Sequence, residues 1–188
     1  SNGSTTLFAA ADEVYPTSMW GADYRVPVGE TTDTLYDYFQ YTGVSVMASA
    51  DGTNIYIDRN NDGTPEKSCL NLPQGGTCQW DDKSDTTGEM NVNNVIGNGL
   101  IAGSRITSNN KVQVTLLTGD VCAGYETRSY SLLPTTAWSN QYYAPVSSST
   151  SSRTIGTATH TLPTRVTLYN PGTSALTVNW TFGTGATG

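Results

Sequence analysis

The segment Pro16-Thr17-Ser18-Met19-Trp20-Gly21-Ala22-Asp23-Tyr24-Arg25-Val26-Pro27-Val28 returns as Pro134-Thr135-Thr136-Ala137-Trp138-Ser139-Asn140-Gln141-Tyr142-Tyr143-Ala144-Pro145-Val146. Pro, Thr, Trp, Tyr, Pro and Val recur in register, so one fold has to accommodate the same local structure at two places. Each copy leads through a polar stretch into a strand-turn-strand pattern. The first runs Val44–Met47, Asp51-Gly52, Asn54–Ile57, and the second runs Arg165–Tyr169, Pro171-Gly172, Leu176–Trp180. This favours internal duplication over a chance meeting of Trp, Tyr and Pro. It divides the chain into a first unit, 1–133, and an incomplete second unit, 134–188, that either completes the same domain or opens the next.

Two-residue alternation fills the space between the copies. Val112, Val114 and Leu116 alternate with Gln113, Thr115 and Leu117, the pattern of a strand with one buried face. Further strands are expected at 67–72, 77–80, 100–108 and 126–133, with Asn109-Asn110 as a hairpin turn because Asn tolerates the left-handed region. Helical periodicity is confined to the short, β-prone Thr34–Phe39. The expected fold is all-β, a two-layer antiparallel sandwich with long polar loops and almost no helix.

Charged residues make up only 13% of the chain, and Thr, Ser, Asn and Gly take the polar positions. A net charge of −7 with nine scattered Lys and Arg argues against nucleic-acid binding, which needs clustered cations. No apolar run is long enough to span a membrane. The start, Ser1-Asn2-Gly3-Ser4, carries no initiator Met or signal pattern and is expected to belong to a mature or excised segment. Cys69 and Cys78 flank a Pro-Gly-Gly turn region at a spacing that a hairpin-closing disulfide can bridge, in a composition of secreted type. Cys122 is left as a buried thiol or an intermolecular crosslink.

Among groups that could carry chemistry, Asp58-Arg59-Asn60-Asn61-Asp62-Gly63-Thr64-Pro65-Glu66 has the oxygen spacing of a calcium loop. Asp58, Asn60, Asp62, Thr64 and Glu66 are the candidate ligands for Ca2+. The bidentate Glu of an EF-hand is missing, since Cys69 stands at the twelfth position, and Glu66 could supply the carboxylate. The same residues also suit a turn whose side chains cap their own backbone. The single histidine, His160, and the lack of a Gly-x-Ser-x-Gly elbow speak against a Ser-His-Asp triad. Carboxylates gather in turns facing water, and the chain reads as no enzyme. Trp20, Tyr24, Trp138, Tyr142 and Tyr143 are candidate binding aromatics, although their equivalent places in the two copies suit packing better.

The order Tyr24–Val28, Val44–Ala48, Asp51–Thr53, Gly103–Val114, Leu132–Pro134 and Trp138 to Val146 resembles the IgGFc-binding protein N-terminal domain family, especially its bacterial secreted or cell-surface members. The resemblance covers roughly 16–146. It implies a secreted β-sandwich used for adhesion or for building a surface layer. It brings no catalytic residue, and no residue here matches an antibody contact.

Together these readings give an extracellular, non-catalytic structural module of a bacterial surface protein or fibre, stabilised by calcium and one disulfide. Its partners would be copies of itself or neighbouring modules of the same protein, with a strand at Ser4–Ala10 as one edge for addition. The second reading is an adhesive module that binds glycan or host protein through its aromatics.

Overall fold

The computed structural model describes residues 13–30, 41–80, 99–119, 128–143, 151–155, 158–162 and 168–181. Nine strands are described: β1 (Gly21–Arg25), β2 (Tyr41–Ala48), β3 (Thr53–Asp58), β4 (Lys67–Leu72), β5 (Thr77–Trp80), β6 (Arg105–Gly119), β7 (Arg128–Leu132), β8 (Ser151–Ile155) and β9 (Ala158–Leu162). The only helical pieces among these residues are two three-residue 3-10 turns, Thr17–Met19 and Thr135–Ala137.

β1 to β7 form one antiparallel sheet, nearly closed into a barrel-like shape, and β8 and β9 pair separately. The seven strands therefore form one hydrogen-bonded sheet, where a two-layer sandwich of distinct sheets was expected. The spine is β6, whose two halves serve different neighbours. Its first half lies between β1 and β3, with Ile106 opposite both Tyr24 and Ile57. Its second half lies between β7 and β2, with Val114 opposite both Leu132 and Val46.

This arrangement corrects two expectations. Asn109-Asn110 is not a hairpin turn, because β6 continues through it as one strand. Two steps along β1, Gly21 to Asp23, span the stretch from Val112 back to Thr107 on β6, so the spine bulges where the halves meet. The asparagine side chains fill the gap. Asn109 accepts from the Asn54 N–H at 2.7 Å and donates to the Gly52 carbonyl at 3.1 Å, while Asn110 donates to the Thr53 hydroxyl at 3.2 Å. Similarly, β2 and β3 flank the Asp51-Gly52 turn as expected, yet they do not pair with each other; both pair with β6. The turn is a corner, and the asparagines stitch it to the spine.

Alternation places Ile106, Val112, Val114 and Leu116 on the inner face of β6, where they meet Tyr24, Val44, Val46, Ile55, Ile57 and Leu100. Fully burying each such aliphatic side chain contributes roughly 1.5–3 kcal/mol before the entropy of ordering it. The expected disulfide is present: Cys69 of β4 is bonded to Cys78 of β5, with Cα atoms 5.9 Å apart. Among the described residues β4 pairs only with β3 and β5 only with β2, so the bond joins two outer strands of the sheet. It ties together the two arms, β3–β4 and β2–β5, that extend from the spine.

The expected strand pair of the second unit is not formed over its described part. Residues 168–180 carry no strand, and an Asx turn closes Asn170–Ser174 through the Gly172 N–H at 2.9 Å. Residues 163–167 lie outside the described residues, as do Ser4–Ala10, Thr34–Phe39 and Cys122.

Candidate interaction site

Both copies of the repeated segment fold into the same hydrogen-bonded unit. Proline fixes φ near the value its turn needs, −64° at Pro16 and −63° at Pro134. Its carbonyl then accepts from the third residue on, from the Met19 N–H at 2.8 Å and from the Ala137 N–H at 2.9 Å. The indole N–H reaches back five residues, Trp20 to the Tyr15 carbonyl at 2.9 Å and Trp138 to the Leu133 carbonyl at 3.3 Å. The tyrosine hydroxyl accepts from the backbone N–H just after the tryptophan, Gly21 to Tyr24 at 2.9 Å and Ser139 to Tyr142 at 2.8 Å. The recurring Pro, Trp and Tyr are thus the residues that close the unit.

The copies touch. A Cβ at Gly21 would lie 2.3 Å from the Pro134 Cβ, so only glycine allows this approach, and Pro134 is buried there while Pro16 is exposed. The Thr135 hydroxyl donates to the Asp23 carbonyl at 3.2 Å.

Their surroundings differ. The Tyr24 hydroxyl also donates to the Val112 carbonyl of β6 at 2.6 Å, and the side chain is completely buried. Burial pushes the Tyr24 phenol above its ordinary value, against the smaller opposing effect of the Gly21 N–H. Tyr142 is 63% exposed and Tyr143 89% exposed, and among the described residues no acceptor takes the Tyr142 hydroxyl proton. Where the first copy has Asp23, bound to the Arg105 guanidinium through both oxygens at 3.1 and 2.9 Å, the second has Gln141. Hydrogen bonding to Asp23 raises the Arg105 pKa and keeps that cation charged. Residues 139–143 join no β ladder.

Beyond the second copy, Leu168, Leu176 and Val178 are all more than half exposed, and Trp180 nearly so. Tyr169 ties this segment back, meeting Trp138 edge to face at 6.1 Å and bringing its hydroxyl against Gly103. Of the candidate binding aromatics, the structure gathers Trp138, Tyr142 and Tyr143 on the second copy, leaves Trp20 half-buried on the first, and encloses Tyr24.

The Asp58–Glu66 loop closes on itself. The Asp58 carboxylate accepts from the Asp62 N–H at 3.2 Å and the Gly63 N–H at 2.8 Å, and Asn60 accepts from the Asp62 N–H at 2.9 Å. Asp62 accepts from the Thr64 N–H at 2.8 Å and from the Asn60 amide at 2.9 Å, contacts that hold its carboxyl below its ordinary value. Glu66 reaches across to the Arg59 N–H at 2.6 Å. Asn61 and Gly63 have positive φ, 57° and 95°, as a tight loop requires. Among the described residues no group of three or more His, Cys, Asp or Glu is placed to hold a metal ion. The five candidate ligands share one loop, in which oxygens of Asp58, Asn60, Asp62 and Glu66 accept from its own N–H groups.

Sequence reasoning missed Gly21 and took Asn109-Asn110 for a turn. For Gly21 a signal was present: the residue after the tryptophan is Gly in one copy and Ser in the other, a difference that marks where backbone is approached closely.

The described residues thus form a disulfide-braced antiparallel sheet that carries a half-exposed aromatic motif beside an exposed apolar segment, the fold of an all-β module. The chain belongs to the IgGFc binding protein family, whose model matches residues 10–187. No curated protein and no solved structure matches it. No helix among the described residues is long and apolar enough to cross a membrane.

Proposed function

We propose that this chain is a non-catalytic, extracellular structural module of a bacterial surface protein or fibre, which works by joining to neighbouring modules or to further copies of itself. The observation that carries the reading is the seating of one repeated unit on another, Pro134 on Gly21, with the second unit left open. The Cys69–Cys78 disulfide supports an oxidising compartment.

The test is sedimentation velocity over a wide concentration range. The chain is expected to associate, and Val178→Asp or Leu176→Asp to weaken that association. A chain that stays monomeric while capturing another ligand saturably would overturn the reading.

The family name favours a second reading, an adhesive module for host protein or glycan, with Trp138, Tyr142 and Tyr143 as the contact surface. Immobilised IgG Fc and a glycan array are the probes. Saturable capture that is lost in Tyr143→Ser would establish that reading.

Calcium at Asp58, Asn60, Asp62, Thr64 and Glu66 belongs to the proposal as a stabiliser. An ion bound only to the folded chain raises the unfolding midpoint by mass action. Added Ca2+ should raise it, chelator should reverse the rise, and Asp58→Asn should abolish it. An unchanged midpoint leaves the loop a hydrogen-bonded turn.

A further inference from the structure

The first copy displays what its motif requires to be complete. Gly21 lies opposite Val112 on β6, and the Tyr24 hydroxyl, which accepts from the Gly21 N–H, donates a hydrogen bond to the Val112 carbonyl. The motif is thus a small adaptor, one edge of which binds an extended strand through backbone pairing and a single tyrosine proton. The second copy builds the same adaptor up to the Ser139 N–H bond to the Tyr142 hydroxyl and stops there. Residues 139–143 are unladdered, and the apolar segment containing Leu176 and Val178 is tied to the motif through Tyr169 and Trp138.

We propose that Ser139–Tyr143 is an acceptor site for one added antiparallel β-strand of the β6 kind. A neighbouring module would supply a strand that places a backbone carbonyl at the Tyr142 hydroxyl and alternates β-branched or aliphatic residues with polar ones. Strand addition of this type takes affinity from main-chain pairing and specificity from alternate side chains.

Three sequence differences define the partner further. Gln141 and Tyr143 stand where the first copy has Asp23 and Arg25, so this acceptor lacks the carboxylate that holds Arg105 against β1 and register there is set without that ion pair. Ser139 stands where the first copy has Gly21, and its Cβ blocks the seat that Pro134 takes on Gly21. A third copy therefore cannot stack on the second as the second stacks on the first. Growth at this end proceeds by strand addition.

The inference rests on the module-joining reading and names the chemistry of the partner. It is tested with the full chain and a fluorescent peptide of the Arg105–Gly119 sequence, followed by anisotropy and by amide hydrogen exchange. Saturable binding is expected, with new protection over 139–143. A scrambled peptide and the Tyr142→Phe chain should each bind about tenfold more weakly, the worth of a hydrogen bond or slightly more. Because Tyr142 is largely exposed, Tyr142→Phe should leave the unfolding midpoint unchanged, which separates a binding defect from a folding one. Equal binding of the scrambled peptide, or protection confined to β4 and β5, would overturn the site. If the chain self-associates but neither the peptide nor Tyr142→Phe affects that association, strand addition fails and module joining stands. If the chain stays monomeric yet takes up the peptide at 139–143, self-association fails and the strand site stands.

Discussion

The two copies of the repeated segment share a backbone and differ in their burial. Tyr15 to Tyr24 and Leu133 to Tyr142 make the same four kinds of hydrogen bond in the same order, yet Tyr24 is enclosed by β6 while Tyr142 faces solvent. Local sequence is enough to form the unit; a tertiary neighbour determines whether it becomes core or surface. The open copy is the part of the described chain where a partner has most to add.

The largest break in this comparison comes from the disulfide. Cys69 and Cys78 close a short loop, and removing such a bond costs about 3 kcal/mol in the chain-entropy model. Cys69→Ser with Cys78→Ser should lower denaturant stability by that order and speed hydrogen exchange at β1 and β6. The amides of 139–143, outside every ladder, should exchange fast before and after. Slower exchange at 139–143 than at β1 in the parent chain would reverse the assignment of covered and open copies.

Next in size is the contact between the copies. Gly21→Ala places a methyl group 2.3 Å from the Pro134 Cβ and should destabilise by about 1–3 kcal/mol, the usual cost of overpacking. Ser139→Gly, the reciprocal exchange, should stay within about 0.5–1 kcal/mol, the intrinsic cost of a more flexible backbone. If both substitutions cost the same in chemical denaturation, the seat of Pro134 on Gly21 is not what separates the copies.

How much of this could be read beforehand follows the same division between local and tertiary signals. The strands β2 to β5, the position of the Asp51-Gly52 turn and the Cys69–Cys78 bond were legible because alternation, turn residues and cysteine spacing are local, whereas the pairing expected across that turn was not formed. The spine was misread at Asn109-Asn110 because two asparagines look alike whether they turn the chain or lend their amides to a neighbouring corner. Only the position of Gly52 and Thr53 across the sheet decides between these, and it is set by pairing between segments 57 residues apart in sequence. Leu176 to Trp180 alternates as a strand should, but no ladder forms there among the described residues. At the candidate site the recurring Pro, Trp and Tyr were visible in the sequence, whereas the burial that distinguishes Tyr24 from Tyr142 was not.

Tyrosine gives a third test of the comparison. Tyr24→Phe leaves the Val112 carbonyl and the Gly21 N–H without their partner and should cost about 1–3 kcal/mol; Tyr142→Phe should cost less than about 0.5 kcal/mol. Burial raises the Tyr24 pKa above its unfolded value, so the contribution is complete below about pH 10. As pH rises further, the unfolded chain loses this proton first and stability falls. Tyr24→Phe should therefore flatten the alkaline limb of a stability-pH curve. An identical limb in the variant would place the titrating group elsewhere.

The smallest effect is expected at the ion pair, where Asp23→Gln puts the second copy's residue into the first. Asp23 holds Arg105 through both oxygens, but both side chains are partly open to water, and such pairs contribute about 0–1 kcal/mol. The Thr135 bond goes to the Asp23 backbone carbonyl and survives the change, so the contact between the copies should persist. The loss should shrink further in salt, since screening acts on the exposed pair and leaves the buried Tyr24 hydrogen bond intact. A loss well above 1 kcal/mol, unaffected by salt, would mean that Asp23 and Arg105 fix the register of β1 on β6. Charge, and not the tyrosine proton, would then distinguish the completed copy from the open one.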